Sequence, residues 1–222
     1  MTGVFCTKEV TAGTDGSARG VLGMLEGAMG GSPVFCMDQI HSDIIVCAED
    51  LAQGEIPRAD AIISGNPDHL LCVRTADCVP VLAWSVDGPL MAAVHAGWRG
   101  LASRIVEKTI LAMRSRGCGE IRAAIGPAIG PCCYEVKPDV AEALGVEPEL
   151  SGGGSLYVNL WEAARSQLEA AGLDGGAIGV RALCTSCDPG RFNSFRRQGA
   201  NAGRNISVIG GKAWLLPGLQ AG

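Results

Sequence analysis

The sequence predicts a single domain of the α+β class, with mixed sheets. Three observations carry that prediction. The chain has 222 residues, against a usual scale of about 150 per domain, and no linker or repeat divides it. From residue 34 to residue 95, strand patterns follow one another through tight turns instead of alternating with helices. The strongly periodic helices come only after residue 100. With 47% hydrophobic and 18% charged residues, a chain of this size buries roughly 70% of its unfolded surface without covalent staples.

The elements are expected in this order. Residues 1–33 are Gly-rich and weakly periodic, with a short helix over Val21 to Met29. Val34 to Ile40 and Ile44 to Ala48 read as strands joined at His41-Ser42-Asp43. A short strand lies in Arg58 to Ile63, and Gly65-Asn66-Pro67-Asp68 is a strong turn signal. Leu70 to Arg74, Val79 to Trp84 and Leu90 to His95 are apolar strands. A helix is expected from about Arg99, with Leu101, Ile105, Thr109 and Met113 near one face, stopped by Gly117. Ile121 to Ile125 is a strand that enters the loop Gly126-Pro127-Ala128-Ile129-Gly130-Pro131. Asp139 is expected to cap a helix through Leu144, and Glu147 to Ser155 to form a loop. Asn159 with Glu162 has the spacing of a capping box and opens a helix to Ala171. Ala177 to Leu183 and Ile206 to Ile209 are late strands around an Arg-rich loop.

The net charge of −5 and pI near 5.2 argue against a nucleic-acid binder. No apolar run is long enough to span a membrane, and no secretory signal is visible. A cytoplasmic chain with reduced thiols is the expectation. Ten Cys stand against three His, so imidazole chemistry must come from His41, His69 and His95.

His95 ends a strand before Ala96-Gly97-Trp98-Arg99-Gly100. A helix start there, with the Arg99 guanidinium, suits an anion. Cys78 and His41 also stand at strand ends. His41, Cys78 and His95 would make a three-ligand zinc set with an open position, although their separations form no metal motif and residues scattered in this way are more often structural. Cys184-Thr185-Ser186-Cys187 is a C-x-x-C, but Cys132-Cys133 does not supply the second such pair of a zinc ribbon. The expectation is that this pair is not a metal site. Arg196, Arg197 and Arg204, with Phe192 and Phe195, are suited to an anion and a flat ring.

Several runs occur together in order: Gln39-Ile40-His41, Ala59-Asp60-Ala61, Thr75-Ala76-Asp77-Cys78-Val79-Pro80-Val81-Leu82, His95-Ala96-Gly97-Trp98-Arg99-Gly100, Ile125 to Val136 with Cys132-Cys133, Cys184-Thr185, and Ser194-Phe195-Arg196-Arg197. Together they resemble the YfiH family, the laccase-domain or polyphenol-oxidase-like proteins. The resemblance implies a four-layer α-β-β-α sandwich over residues 1–222, with a divergent segment at 1–33 that lacks the family's usual N-terminal stretch. It implies a Zn²⁺ site of His41, Cys78 and His95. It also implies phosphorolysis of purine nucleosides (adenosine, inosine, guanosine, methylthioadenosine) and adenosine deamination. Asp77 is assigned proton transfer, and Arg99, Arg196 and Arg197 the phosphate. Asn193 stands where the family often has an aromatic, which predicts weaker ring stacking there. The alternatives are a copper-dependent polyphenol oxidase, a metal-free hydrolase using Cys78 and His95, and a zinc-stabilised binding scaffold. Three His are too few for a multicopper centre.

Overall fold

A computed structural model describes residues 2–6, 17–28 and 32–210 of the chain. Thirteen strands and six α-helices are assigned among them. One sheet has the order β1-β13-β5-β2: Thr2–Cys6, Asn205–Gly210, Leu70–Thr75 and Val34–Phe35. Its pairings are antiparallel except for β2 with β5. The larger sheet has the order β12-β8-β6-β7-β4-β3: Ile178–Val180, Ile121–Ile125, Val79–Ser85, Met91–Ala96, Ala61–Ser64 and Ile45–Cys47. Its two outermost pairings are parallel and the inner three antiparallel. A small antiparallel sheet of β9 (Glu135–Val136), β10 (Glu149–Leu150) and β11 (Leu156–Tyr157) stands apart.

The period-2 alternation of these strands builds the layers. In β5, Leu70 and Cys72 face helix α1 (Ala18–Ala28), with Val21 and Leu25. Leu71 and Val73 face the opposite way, where they meet Ile62, Leu82, Met91 and Ala93 of the large sheet. Val79, Val81 and Ala83 of β6, and Ala92, Val94 and Ala96 of β7, point to the far side. There they pack against α3 (Ile105–Arg114) and α5 (Leu160–Ala170). The result is helix, sheet, sheet, helices: the four-layer α-β-β-α order. None of the described helices is long and apolar enough to cross a membrane.

Most of the expected elements form, with four corrections. The strand expected over Val34 to Ile40 is confined to Val34–Phe35 and lies in a different sheet from Ile45–Cys47. The helix after His95 is broken into α2 (Trp98–Ala102) and α3, because Arg104 sits in the left-handed region at φ 60°. Helix α4 (Pro138–Leu144) is preceded by Lys137, so Asp139 lies in the first turn and caps nothing. Proline is pre-shaped for that first position. The expected loop at 147–155 contains β10, paired with β11. Met29, the end of the first expected helix, lies outside the described residues, as do residues 7–16.

Asn159 behaves as its spacing predicts. Its side-chain oxygen accepts from the backbone N–H groups of Trp161 (3.1 Å) and Glu162 (3.2 Å). Asn159→Ala leaves both donors unpaired at a helix start. We expect a loss of about 1 kcal/mol, read as a lower urea midpoint at constant slope.

Candidate metal centre and cavity

The site forms where three chain segments end beside one buried carboxylate. Asp60 precedes β4 and has no solvent exposure (0%). Its Oδ1 accepts from the His41 N–H (3.0 Å) and faces His95 Nδ1 (2.8 Å). Its Oδ2 accepts from the Ile40 N–H (3.2 Å), the Ser42 N–H (2.6 Å) and the Ser42 hydroxyl (2.7 Å). Burial pushes the Asp60 carboxyl up, but the hydrogen bonds from His95 and Ser42 outweigh it and hold the pKa at about 2. A buried charge of this kind is tolerated only when fully hydrogen-bonded.

Asp60 thereby orients the His95 imidazole and fixes the backbone that carries His41. His95 lies on the inter-sheet face of β7, and its Nδ1 is committed to the carboxylate. That leaves Nε2 for the site, an arrangement common among metal-binding histidines. His41 is held at φ 60°, an unusual backbone for a non-glycine residue. Its ring meets that of His95 edge-on, centroids 4.9 Å apart, and its Nε2 lies 3.9 Å from Cys78 Sγ. Ligand atoms of His41, Cys78 and His95 all lie within 4.8 Å of one another.

The electrostatics fit a cation. Burial pushes the Cys78 thiol up, but the His95 charge and the His41 contact bring it down to about 6. Burial likewise disfavours His95 imidazolium, yet the Cys78 charge and the Asp60 bond raise it to about 9. A thiolate facing an imidazolium is a set that a soft divalent ion enters by displacing one proton. Gly97 leaves the room: a Cβ there would lie 2.9 Å from His41 Cδ2 and 3.1 Å from Cys78 Sγ.

A cavity of about 600 Å³ opens above this trio, a size suited to a small-molecule ligand. Asp77, Arg99, Arg196 and Arg204 line it as the sequence suggests, together with Arg74, which had no expected place in the pocket. Trp98, Tyr134 and Phe195 supply aromatic faces. Arg99 stacks on Trp98, Cζ 4.5 Å from the ring centroid. The helix behind it is five residues long, so anion attraction there falls to the side chain. Arg196 lies over Tyr134 at 5.3 Å and donates to the carbonyls of Cys133 (3.3 Å) and Glu135 (3.0 Å).

Two expectations change on this geometry, and Asp77 gains a positioning role. Arg197 is not among the lining residues; its guanidinium donates to the carbonyls of Thr185, Ser186 (both 2.8 Å) and Phe192 (2.6 Å). It ties the late loop to itself. Asn193 is buried and laced to Asn205, so it plays no part in stacking, whereas Phe195 reaches the cavity. Asp77, at φ 89°, uses both carboxylate oxygens: it accepts from the Thr185 hydroxyl and the Arg196 N–H, each at 2.6 Å. It therefore fastens the loop that carries Arg196. His69 bonds Ser64 (2.9 Å) and Asn66 (3.1 Å), and does not line the cavity.

The family model described as multi-copper polyphenol oxidoreductase laccase matches residues 21–212. The chain belongs to this laccase-like YfiH family. Among solved structures it superposes on YlmD from Geobacillus stearothermophilus with a TM-score of 0.80 at 29% identity, covering 90% of this chain and 83% of that one. A Bacillus licheniformis YfiH structure gives 0.78 at 29% identity, over 90% and 84% of the two chains. A protein named purine nucleoside phosphorylase from Xylella fastidiosa (strain Temecula1) is 41% identical over 77% of this chain and 66% of its own length. A Bacteroides thetaiotaomicron protein of the same name is 39% identical over 68% and 60%. The chain thus spans slightly under two thirds of these two relatives.

Two substitutions test the architecture. Asp60→Ala strands buried donors and unfastens His95; we expect a loss of roughly 3–5 kcal/mol and metal affinity lower by about 10–100-fold, from denaturation and competitive chelation. Gly97→Ala crowds only the ligand side chains. It is expected to weaken metal binding by roughly tenfold, through about 1–3 kcal/mol of overpacking, with a circular dichroism spectrum unchanged.

Proposed function

We propose that the chain is a zinc-dependent purine nucleoside phosphorylase acting on adenosine, inosine, guanosine and methylthioadenosine, with adenosine deaminase activity at the same site. The observation that carries this reading is the convergence, in one cavity, of a His₂Cys set, arginines and aromatic side chains. The names of the relatives support it. His41, Cys78 and His95 would hold the zinc, which supplies a Lewis acid beside the reacting atoms and the water activation that deamination at purine C6 requires.

In phosphorolysis a phosphate oxygen attacks the anomeric carbon of the ribose. The carbon–nitrogen bond to the purine breaks, and the base leaves with the electron pair and takes up a proton. Arg99 and Arg196 hold the phosphate through charge-assisted hydrogen bonds. Trp98, Tyr134 and Phe195 offer the purine faces to stack on and exclude water. Asp77 is the cavity carboxylate next to Cys78, and we assign it both the placement of Arg196 and a proton transfer.

Copper chemistry of the multicopper kind is disfavoured by ligand arithmetic. Of three His in the chain, His69 is bonded elsewhere, leaving two at the cavity. A metal-free hydrolase using Cys78 as thiolate and His95 as base would work undiminished in chelator.

The decisive experiment feeds adenosine to zinc-loaded protein with and without phosphate. Ribose-1-phosphate and adenine are expected only with phosphate, and inosine in both cases. His41→Ala should abolish both products, and Arg99→Gln should raise the phosphate KM about tenfold (one lost charge-assisted contact). Absence of turnover of every purine nucleoside defeats the proposal, and phenol oxidation by copper-loaded protein replaces it.

A further inference from the structure

The fold assembles a second sulfur cluster that the cavity does not use. Cys132, Cys133, Cys184 and Cys187 bring their Sγ atoms within 4.8 Å of one another. Cys187 Sγ lies 3.5 Å from Cys132 Sγ and 3.4 Å from Cys133 Sγ. The sequence pattern argued against this, because Cys132-Cys133 is not a C-x-x-C. The tertiary fold overrides the pattern. Ala128 bridges Cys184 in parallel, and the Thr185 N–H donates to the Ala128 carbonyl (2.9 Å). Immediately afterwards the chain turns tightly: the Cys133 and Tyr134 N–H groups both donate to the Gly130 carbonyl (2.9 Å). That turn lifts both adjacent thiols toward the 184–187 loop.

We propose that these four cysteines form a second, structural metal site that binds a zinc ion as a closed tetrathiolate. Zinc–sulfur bonds of about 2.3 Å in a tetrahedron put the sulfurs about 3.8 Å apart. The observed separations lie close to that and far above the ~2.0 Å of a disulfide. Cys187 sits equally near two partners, which suits one shared centre better than one bond. Four thiolates around a tetrahedral centre select zinc over harder cations. The Gly130 N–H donates to Cys184 Sγ at 3.2 Å, the kind of contact that orients and stabilises a thiolate ligand. A zinc tetrathiolate carries excess negative charge. Two guanidinium groups lie against its loops, Arg196 on the Cys133 carbonyl and Arg197 on the Thr185 and Ser186 carbonyls.

The site has a clear structural consequence. It joins the loop that presents Tyr134 to the loop that leads into Phe195 and Arg196, two walls of the cavity. Its existence does not depend on the function proposed above, because it shares no ligand with His41, Cys78 and His95.

Metal content of zinc-loaded full-length protein tests it. We expect two zinc ions per chain, falling to one in Cys184→Ser/Cys187→Ser and independently to one in His41→Ala. A double variant with wild-type metal content overturns the proposal. If that variant fails to fold, alkylation mapping of the unmodified chain decides. Cys132 and Cys187 are exposed, yet both should resist iodoacetamide until a chelator is added. Alkylation of either without chelator, a disulfide among the four, or iron in place of zinc overturns the assignment.

Discussion

The carboxylate of Asp60 is the constraint on which the candidate site depends. A group with no exposure and a pKa near 2 must be satisfied from every side. Here the partners are the backbone of residues 40–42, the Ser42 hydroxyl and the His95 ring. Because the donors surround one small anion, the 40–42 segment cannot move relative to the end of β7 without leaving a charge unpaired. The main chain repeats the same link: the His95 N–H donates to the Asp60 carbonyl at 2.7 Å. Two imidazoles from distant parts of the chain are thus placed by one residue.

Strain surrounds this anchor. Among the described non-glycine residues with positive φ, two are His41 and Asp77, on either side of the thiol. Such conformations cost on the order of 1–3 kcal/mol each and persist only when the surroundings enforce them. His41 is enforced by its N–H bond to Asp60. Asp77 is enforced from three directions, by Thr185, by the Arg196 N–H, and by the Ile129 N–H on its own carbonyl (2.9 Å). The layers beneath are ordinary alternating strands. The irregular backbone gathers at their ends, where the cavity opens.

Much of this was legible in the sequence. Apolar runs bounded by turn signals located β5 to β8, and the Asn159 spacing located the start of α5. The strand-end positions of His41, Cys78 and His95 pointed to a shared site. What escaped had no local signal. Asp60 lay within a noted run, but a buried anion looks like any surface aspartate in one dimension. The break at Arg104 leaves the apolar stripe of Leu101, Ile105, Thr109 and Met113 intact, so periodicity reads straight through it. Arg196 and Arg197 are neighbours of the same type. Both donate to backbone carbonyls, and only the fold makes one of them line the cavity as well.

The family's laccase description sits uneasily with the ligands this chain can offer. A cluster of several coppers needs many imidazoles, and two face the cavity. The remaining soft donors are thiols, and they are divided. Cys78 joins the imidazoles at the cavity floor, where three protein ligands leave room for a further one. Cys132, Cys133, Cys184 and Cys187 gather with no imidazole among them. A three-ligand set under an open cavity and a four-thiol set between two loops would make different kinds of centre, the first with a free position for substrate and the second saturated by protein. The arginines grade between the two: Arg99 belongs to the cavity, Arg197 is tied to the loop carbonyls next to the thiols, and Arg196 lines the cavity while donating to the Cys133 carbonyl. Charge and donor type therefore separate chemistry from scaffolding within a few residues of each other along the chain.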